Sequence, residues 1–320
     1  TSVDEKVIAG ILRMVAAAKK QGIYSTISPF WPHHKIPASW GIEGYPDKEC
    51  WGLFFFNDKL QAAYKSWVKE LYTRKNPDTG LSLAQDPAVA IIQVMNEDSL
   101  LFWTSQAIEE PQKKILRAKF GGWLAKKYGS AGTPSAWQGA ALEGDDWAGG
   151  KPQLMMIWYL TQPPSGGRGV RAADQMQFYS ELQRNFYGDV EAYLRSLGCR
   201  QLFNAMNWRP ADPVMMYDAE RWSYAANQVQ AVNKYVTGIH VGENDGWRID
   251  RGHHMTDESA LLRPEALPTN LKQVSGSPFL ITESTWVQPL GFQTEGPFLM
   301  GAYQALTGVD TFYWFSATDA

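Results

Sequence analysis

Residues 88–95 constrain the fold more than any other stretch of this sequence. A turn pair, Asp86-Pro87, opens the run, Gln93 is its one polar side chain, and Asn96-Glu97-Asp98 closes it abruptly. An apolar run rich in Val and Ile and bounded by polar residues reads as a strand buried on both faces. Such strands belong to parallel sheets with helices packed outside, and their functional groups collect where the C-terminal strand ends open into loops. Glu97 is therefore expected to be a carboxylate held at the rim of a rigid core. The question for the rest of the chain is whether a second carboxylate is held in the same way.

The flanking pattern fits that architecture. Ser2 with Glu5 three residues on has capping-box spacing. Val7, Ile8, Ile11, Leu12, Met14, Val15 and Ala18 then form a helical stripe that stops at Lys19-Lys20-Gln21-Gly22. A strand is expected at 23–28, followed by a long loop at 29–52 carrying Trp31, His33, His34, Trp40 and Trp51. Loops of that length are usually functional or disordered, and the aromatic content favours function. Helices are expected at 58–72 and 111–128 on either side of the central strand. The Gly- and Pro-rich region 129–169 reads as an insertion over the rim, with a strand-like run at 154–160. Beyond it, helices at 174–197, 218–235 and 296–306, and a weaker helical turn near Leu271, alternate with strand-like runs at 201–207, 237–242, 278–282 and 310–315. This alternation is the pattern of a (β/α) barrel or a doubly wound sheet. No Gly-x-Gly-x-x-Gly follows a strand, so a dinucleotide cradle is not expected.

Bulk properties narrow the function. A net charge of −3 offers no basic face for nucleic acid. No apolar stretch is long enough to span a membrane, and no signal peptide stands in the sequence. Cys50 and Cys199 match no metal or redox spacing and require no disulfide. Aromatics make up 13%, with 14 Trp, 14 Tyr and 14 Phe. Flat rings are good platforms for the apolar C–H faces of sugars, although a large core with aromatic loops accounts for the same count.

A second strand-then-carboxylate stretch does exist. Phe279-Leu-Ile-Thr-Glu283-Ser284 repeats an apolar run closed by a glutamate. Two carboxylates facing one cleft are what glycoside hydrolysis needs, one protonated to serve the leaving oxygen and one ionised to attack the anomeric carbon. A separation of about 5–5.5 Å goes with retention and roughly 6.5–9.5 Å with inversion. Taken alone, each glutamate has a plainer reading; Asn96-Glu97-Asp98-Ser99, for example, also resembles a helix N-cap cluster.

The two strand ends resemble those of clan A glycoside hydrolases, the retaining (β/α)8 TIM-barrel enzymes. The helix ending Lys20-Gln-Gly-Ile-Tyr24, the segment from Asn76-Pro-Asp-Thr-Gly80 to Asp86-Pro87, and Glu295-Gly-Pro-Phe-Leu299 resemble the cellulase-like, family 5-related branch. The resemblance implies a retaining hydrolase of β-linked polysaccharide or oligosaccharide, with Glu97 as acid/base and Glu283 as nucleophile. It implies that Asn96 binds the sugar 2-hydroxyl, that Trp314 floors the pocket, and that His240, placed at the end of the sixth strand, contacts the nucleophile. Trp31, His33 and Asn207 are expected as further substrate contacts. No cofactor or metal is expected, although two histidine pairs, His33-His34 and His253-His254, leave a metal-dependent hydrolase as a weaker reading. A barrel that binds carbohydrate without cleaving it is the main alternative. Glu43, Glu243, Asp245 and Asp319 are open as subsite residues.

The resemblance numbers 23–28 as the third strand and 310–315 as the eighth. Residues 1–320 are thus expected to form a single catalytic barrel domain that supplies strands three to eight. The first two strands would come from an N-terminal segment outside this sequence, or else from another chain, because six strands cannot close an eight-stranded barrel. The expected partner is a carbohydrate, and the expected location is secreted or periplasmic.

Overall fold

A computed structural model describes residues 3–163, 165–243 and 249–316. The chain divides into two compact units, Thr1–Gln228 and Val229–Ala320, each mixed α/β.

The first unit runs α1 (Glu5–Lys20), β1 (Ser25–Ile27), β2 (Lys35–Ile36), β3 (Lys48–Glu49), α2 (Asp58–Thr73), β4 (Val89–Gln93), α3 (Glu110–Tyr128), α4 (Ile157–Leu160), α5 (Gly166–Ser196), β5 (Leu202–Asn204) and α6 (Tyr217–Tyr224). Strands β1, β4 and β5 form a parallel sheet in that order, with β4 in the centre. Ile27 lies opposite Ile92, and Gln93 opposite Asn204. Val89, Ile91, Ile92 and Gln93 are all buried, as a strand covered on both faces requires. Helix α1 packs through Ile8, Leu12 and Val15, and α2 through Leu60, Tyr64, Val68 and Leu71. Burying each such side chain is worth about 1.5–3 kcal/mol. The cap of α1 is Asp4, whose carboxylate accepts from the N–H groups of Lys6 and Val7; Ser2 lies outside the described residues. Asp86 is buried at the entry to β4, paired with Lys19 at 2.9 Å and accepting from the Ala88 N–H.

The 129–169 region folds onto α5. Its strand-like run forms the short helix α4, and α5 begins at Gly166, earlier than the sequence pattern indicates. The glycines there read as breakers, yet close approach is what selects Gly167. A Cβ at that position would lie 2.1 Å from the Gln138 carbonyl oxygen. Arg171, fully buried, anchors the region. Its Nη1 donates to the Ala140 carbonyl and to Asp145 Oδ2, and its Nη2 to Asp145 Oδ1 and the Gln153 carbonyl. Its guanidinium also lies 4.6 Å from the Trp137 ring centroid. Asp174 accepts from Trp137 Nε1, the Tyr128 hydroxyl and Lys127 Nζ.

The second unit contains β6 (Gln230–Asn233), β7 (His240–Val241), β8 (His254–Met255), β9 (Phe279–Ser284), α7 (Glu295–Thr307) and β10 (Thr311–Trp314). Strand β9 lies between β6 and β10, all parallel. Two expectations change here. The helix expected over 218–235 stops at Tyr224, and its last part is the buried strand β6. The strand expected at 237–242 is instead β7, which pairs antiparallel with β8 outside the parallel sheet. Gln230 and Asn233 are buried polar residues, and their spacing among Val229, Ala231 and Val232 imitates an amphipathic helix. Near Leu271 there is no helix; short 3-10 turns lie earlier, at Ala260–Leu262 and Pro264–Ala266.

Replacing Arg171 with Met should cost about 3–5 kcal/mol, because Asp145 stays buried without its countercharge. Denaturant unfolding measures the loss, and limited proteolysis should cut first within 129–169.

Candidate functional site

The end of β4 is built by backbone pairing that continues past the strand. Val94 N–H donates to the Asn204 carbonyl, Met95 N–H to that of Ala205, and Asn96 N–H to that of Phe30. The turn at Asn96-Glu97 is thus pinned between the segments that follow β1 and β5. Glu97 has φ +48°, in the left-handed region that costs a non-glycine residue on the order of 1–2 kcal/mol. The conformation is held by Asn207, whose Oδ1 accepts from the Glu97 N–H at 2.9 Å. Asn207 Nδ2 in turn donates to Asn96 Oδ1 at 2.7 Å and to Gln93 Oε1 at 3.2 Å. Gln93 Nε2 donates to Ser28 Oγ and to Asn96 Oδ1.

These three amides form a frame under Glu97. From sequence Asn207 is expected to contact sugar; here the amide of this buried residue is engaged in the frame through both its oxygen and its nitrogen. Asn96 uses its oxygen in the frame, while its Nδ2 has no hydrogen-bond partner among the described residues.

The loop after β1 is ordered by the β2–β3 hairpin and carries an aromatic cluster. Trp31 and His33 have ring centroids 4.6 Å apart, and Trp51 stands edge-on to Trp31 at 6.3 Å. Glu49 joins the group, with Oε1 2.8 Å from His33 Nδ1 and Oε2 accepting from Trp51 Nε1. Cys50 is buried beneath the loop and donates to the Pro32 carbonyl; burial pushes its thiol up, away from reactivity.

In the second unit, Glu283 is the penultimate residue of β9 and lies opposite Asn233. The Tyr235 hydroxyl donates to Glu283 Oε2 at 2.7 Å. Burial raises the Glu283 carboxyl above the usual range, and hydrogen bonds from Tyr235 and Asn233 oppose that rise. Asn233 is itself oriented by the Thr282 hydroxyl, which donates to its Oδ1 at 2.8 Å. Trp314, opposite Ser284 in register, is 43% exposed and packs against Phe312 and Trp286.

His240 does not follow the strand beside β9. It sits in the β7–β8 hairpin, its Nε2 3.0 Å from His253 Nδ1, and Tyr235 holds the place beside Glu283 expected for it. The sequence reading missed Tyr235 because it placed β6 inside a helix. It also missed Asp98, which is fully buried directly after Glu97. Among the described residues, no group of three or more His, Cys, Asp and Glu could hold a metal. Asp245 and Asp319 lie outside the described residues; the Glu43 carbonyl accepts from Gln112 Nε2.

No family model matches the sequence, and no curated protein matches it. Solved structures do. An exo-β-agarase aligns at 12% identity with a TM-score of 0.51, over 95% of this chain and 38% of that one. The likeness is one of fold. An endo-β-1,4-mannanase from Thermotoga petrophila aligns at 10% identity with a TM-score of 0.48, over 96% of this chain and 52% of that one. The hyperthermostable endo-1,4-β-D-mannanase from Thermotoga petrophila RKU-1, with maltose and glycerol, gives 11%, 0.49, 98% and 71%. The chain spans about half the length of the first mannanase.

Tyr235→Phe keeps the ring but removes a hydrogen bond that favours the ionised carboxylate. The Glu283 titration midpoint should therefore move further up, as followed by carboxyl carbon NMR. An unchanged or lower midpoint would contradict the assignment.

Proposed function

We propose that this chain carries the catalytic glutamates of a retaining glycoside hydrolase that cleaves β-linked polysaccharide or oligosaccharide. The observation that carries the reading is common to both parallel sheets. In each, a glutamate at or just past the C-terminal end of the central strand meets a side chain just past the neighbouring strand: Asn207 accepts from the Glu97 backbone N–H, and the Tyr235 hydroxyl donates to the Glu283 carboxylate. Asn207 fixes the backbone that presents Glu97, and Tyr235 holds the Glu283 carboxylate itself, which supports pre-organisation for chemistry. The fold likeness to an exo-β-agarase supports the same class.

In the proposed mechanism Glu283 attacks the anomeric carbon while Glu97 protonates the leaving oxygen. Glu97 then deprotonates the water that releases the product. Tyr235 orients Glu283, and it stabilises the ionised form needed for attack against a burial that favours the neutral acid. The unpartnered Asn96 Nδ2 is suited to the sugar 2-hydroxyl. The half-exposed Trp314 offers a platform for the sugar in the pocket, and the Trp31–His33–Trp51 cluster offers one for a further sugar along the chain. No step calls for a cofactor.

The architecture we propose is a (β/α)8 barrel to which β1, β4, β5, β6, β9 and β10 contribute strands three to eight. The remaining strands would come from residues outside this sequence. An uncovered apolar face on α7, with Phe298 and Leu306 largely exposed, supports further structure packing there. We place the enzyme outside the cytoplasm, where polysaccharide is met.

Hydrolysis of β-mannan, agarose and β-glucan by the full-length protein tests the class. Glu97→Gln should lower turnover about a hundred- to ten-thousand-fold, and Glu283→Ala at least as much, with both variants folded by circular dichroism. A 2-deoxy-2-fluoro glycoside should label Glu283 covalently. Sugar binding with neither turnover nor label would identify a carbohydrate-binding protein instead.

A further inference from the structure

Asp98 follows Glu97 directly and has no solvent exposure. Both of its carboxyl oxygens accept from the Gly52 N–H, at 2.9 and 3.1 Å, and its own N–H donates to Met206 Sδ at 3.3 Å. No cationic side chain pairs with it among the described residues. A buried carboxyl without a countercharge is expensive, so its place calls for a reason beyond stability.

Gly52 supplies that reason. It has φ +76°, and a Cβ there would lie 3.2 Å from both Leu100 Cδ2 and Ile108 Cδ1. The position therefore favours glycine, and it is pressed against residues just downstream of Glu97. Gly52 also follows Trp51, which bonds Glu49, which pairs with His33 beside Trp31. The Asp98–Gly52 hydrogen bond is thus a direct joint between the turn bearing Glu97 and the loop bearing the aromatic cluster.

Building on the glycoside hydrolase reading, we propose that Asp98 is a positioning residue that couples the docked 29–52 loop to the orientation of Glu97. A sugar seated on the Trp31–His33–Trp51 cluster then steadies the acid/base through Gly52 and Asp98. Asn207 holds the Glu97 turn from the β5 side, and Asp98 holds it from the loop side.

The electrostatics agree. Burial pushes the Asp98 carboxyl up to about 8, with the Gly52 and Ser99 N–H groups opposing and Glu220 adding to the rise. Tyr45 and Cys50 of the loop, Tyr187 of α5 and Glu220 of α6 are titratable groups that interact with it.

The test exploits the fact that an activated aryl glycoside needs no proton on its leaving group, whereas a natural glycan does. Asp98→Ala should lower kcat/KM on the glycan about ten- to a hundredfold, while the dinitrophenyl glycoside stays within about twofold. Asp98→Asn, which can still accept from Gly52, should restore most of the loss, and Gly52→Ala should reproduce it. Equal losses on both substrates would reduce Asp98 to a purely structural part and overturn the proposal.

Amide hydrogen exchange provides a second arm that needs no activity. In Asp98→Ala the Gly52 and Glu97 amides should lose protection together. Exposure of Gly52 with Glu97 still protected would break the coupling. A wild-type protein that cleaves neither substrate would refute the hydrolase reading alone, since the exchange result stands independently.

Discussion

Parallel pairing of β4 with β1 on one side and β5 on the other is the constraint on which the first unit depends. It buries the strand on both faces, so its polar end has one exit, at the C-terminal rim. The pairing runs on through Val94, Met95 and Asn96, which brings Asn207 under Glu97. A left-handed backbone at Glu97 is costly by itself and persists because the hydrogen bonds around it over-determine the turn. The same logic operates in the second unit, where β6 aligns Asn233 opposite Glu283 and carries Tyr235 just beyond it.

The carboxyls on and behind these rims differ in how they are balanced. Glu283 is raised by burial, and hydrogen bonds from Tyr235 and Asn233 oppose that rise. Asp98 and Glu220 are both raised by burial, and no cationic side chain pairs with Asp98 among the described residues. Ser99 joins the two regions, its hydroxyl donating to Glu220 at 2.6 Å and lying 3.1 Å from the Gln183 amide oxygen. Rigidity behind the rim and adjustable charge on it are what a site for acid/base chemistry requires.

The elements legible in the sequence were those whose pattern is local. Helices α1, α2, α3 and α7 announced themselves by apolar stripes and end signals, and β4 and β9 by continuous apolar runs. Where polar residues are buried, the pattern misled. Gln230 and Asn233 disguised β6 as helix, which moved the expected sixth strand onward to His240 and hid Tyr235. The Gly-rich start of α5 read as loop, because close contact with Gln138 and not helix propensity is what asks for Gly167.

By itself the sequence determined that glutamates would end two buried parallel strands, since strand burial and polar closure are both written in consecutive residues. Only tertiary structure decided what holds them. Asn207, Tyr235 and Gly52 lie far along the chain from the carboxylates they serve, and nothing local marks them. A hydrogen bond across that distance exists only once the sheet register has set which strand ends are neighbours.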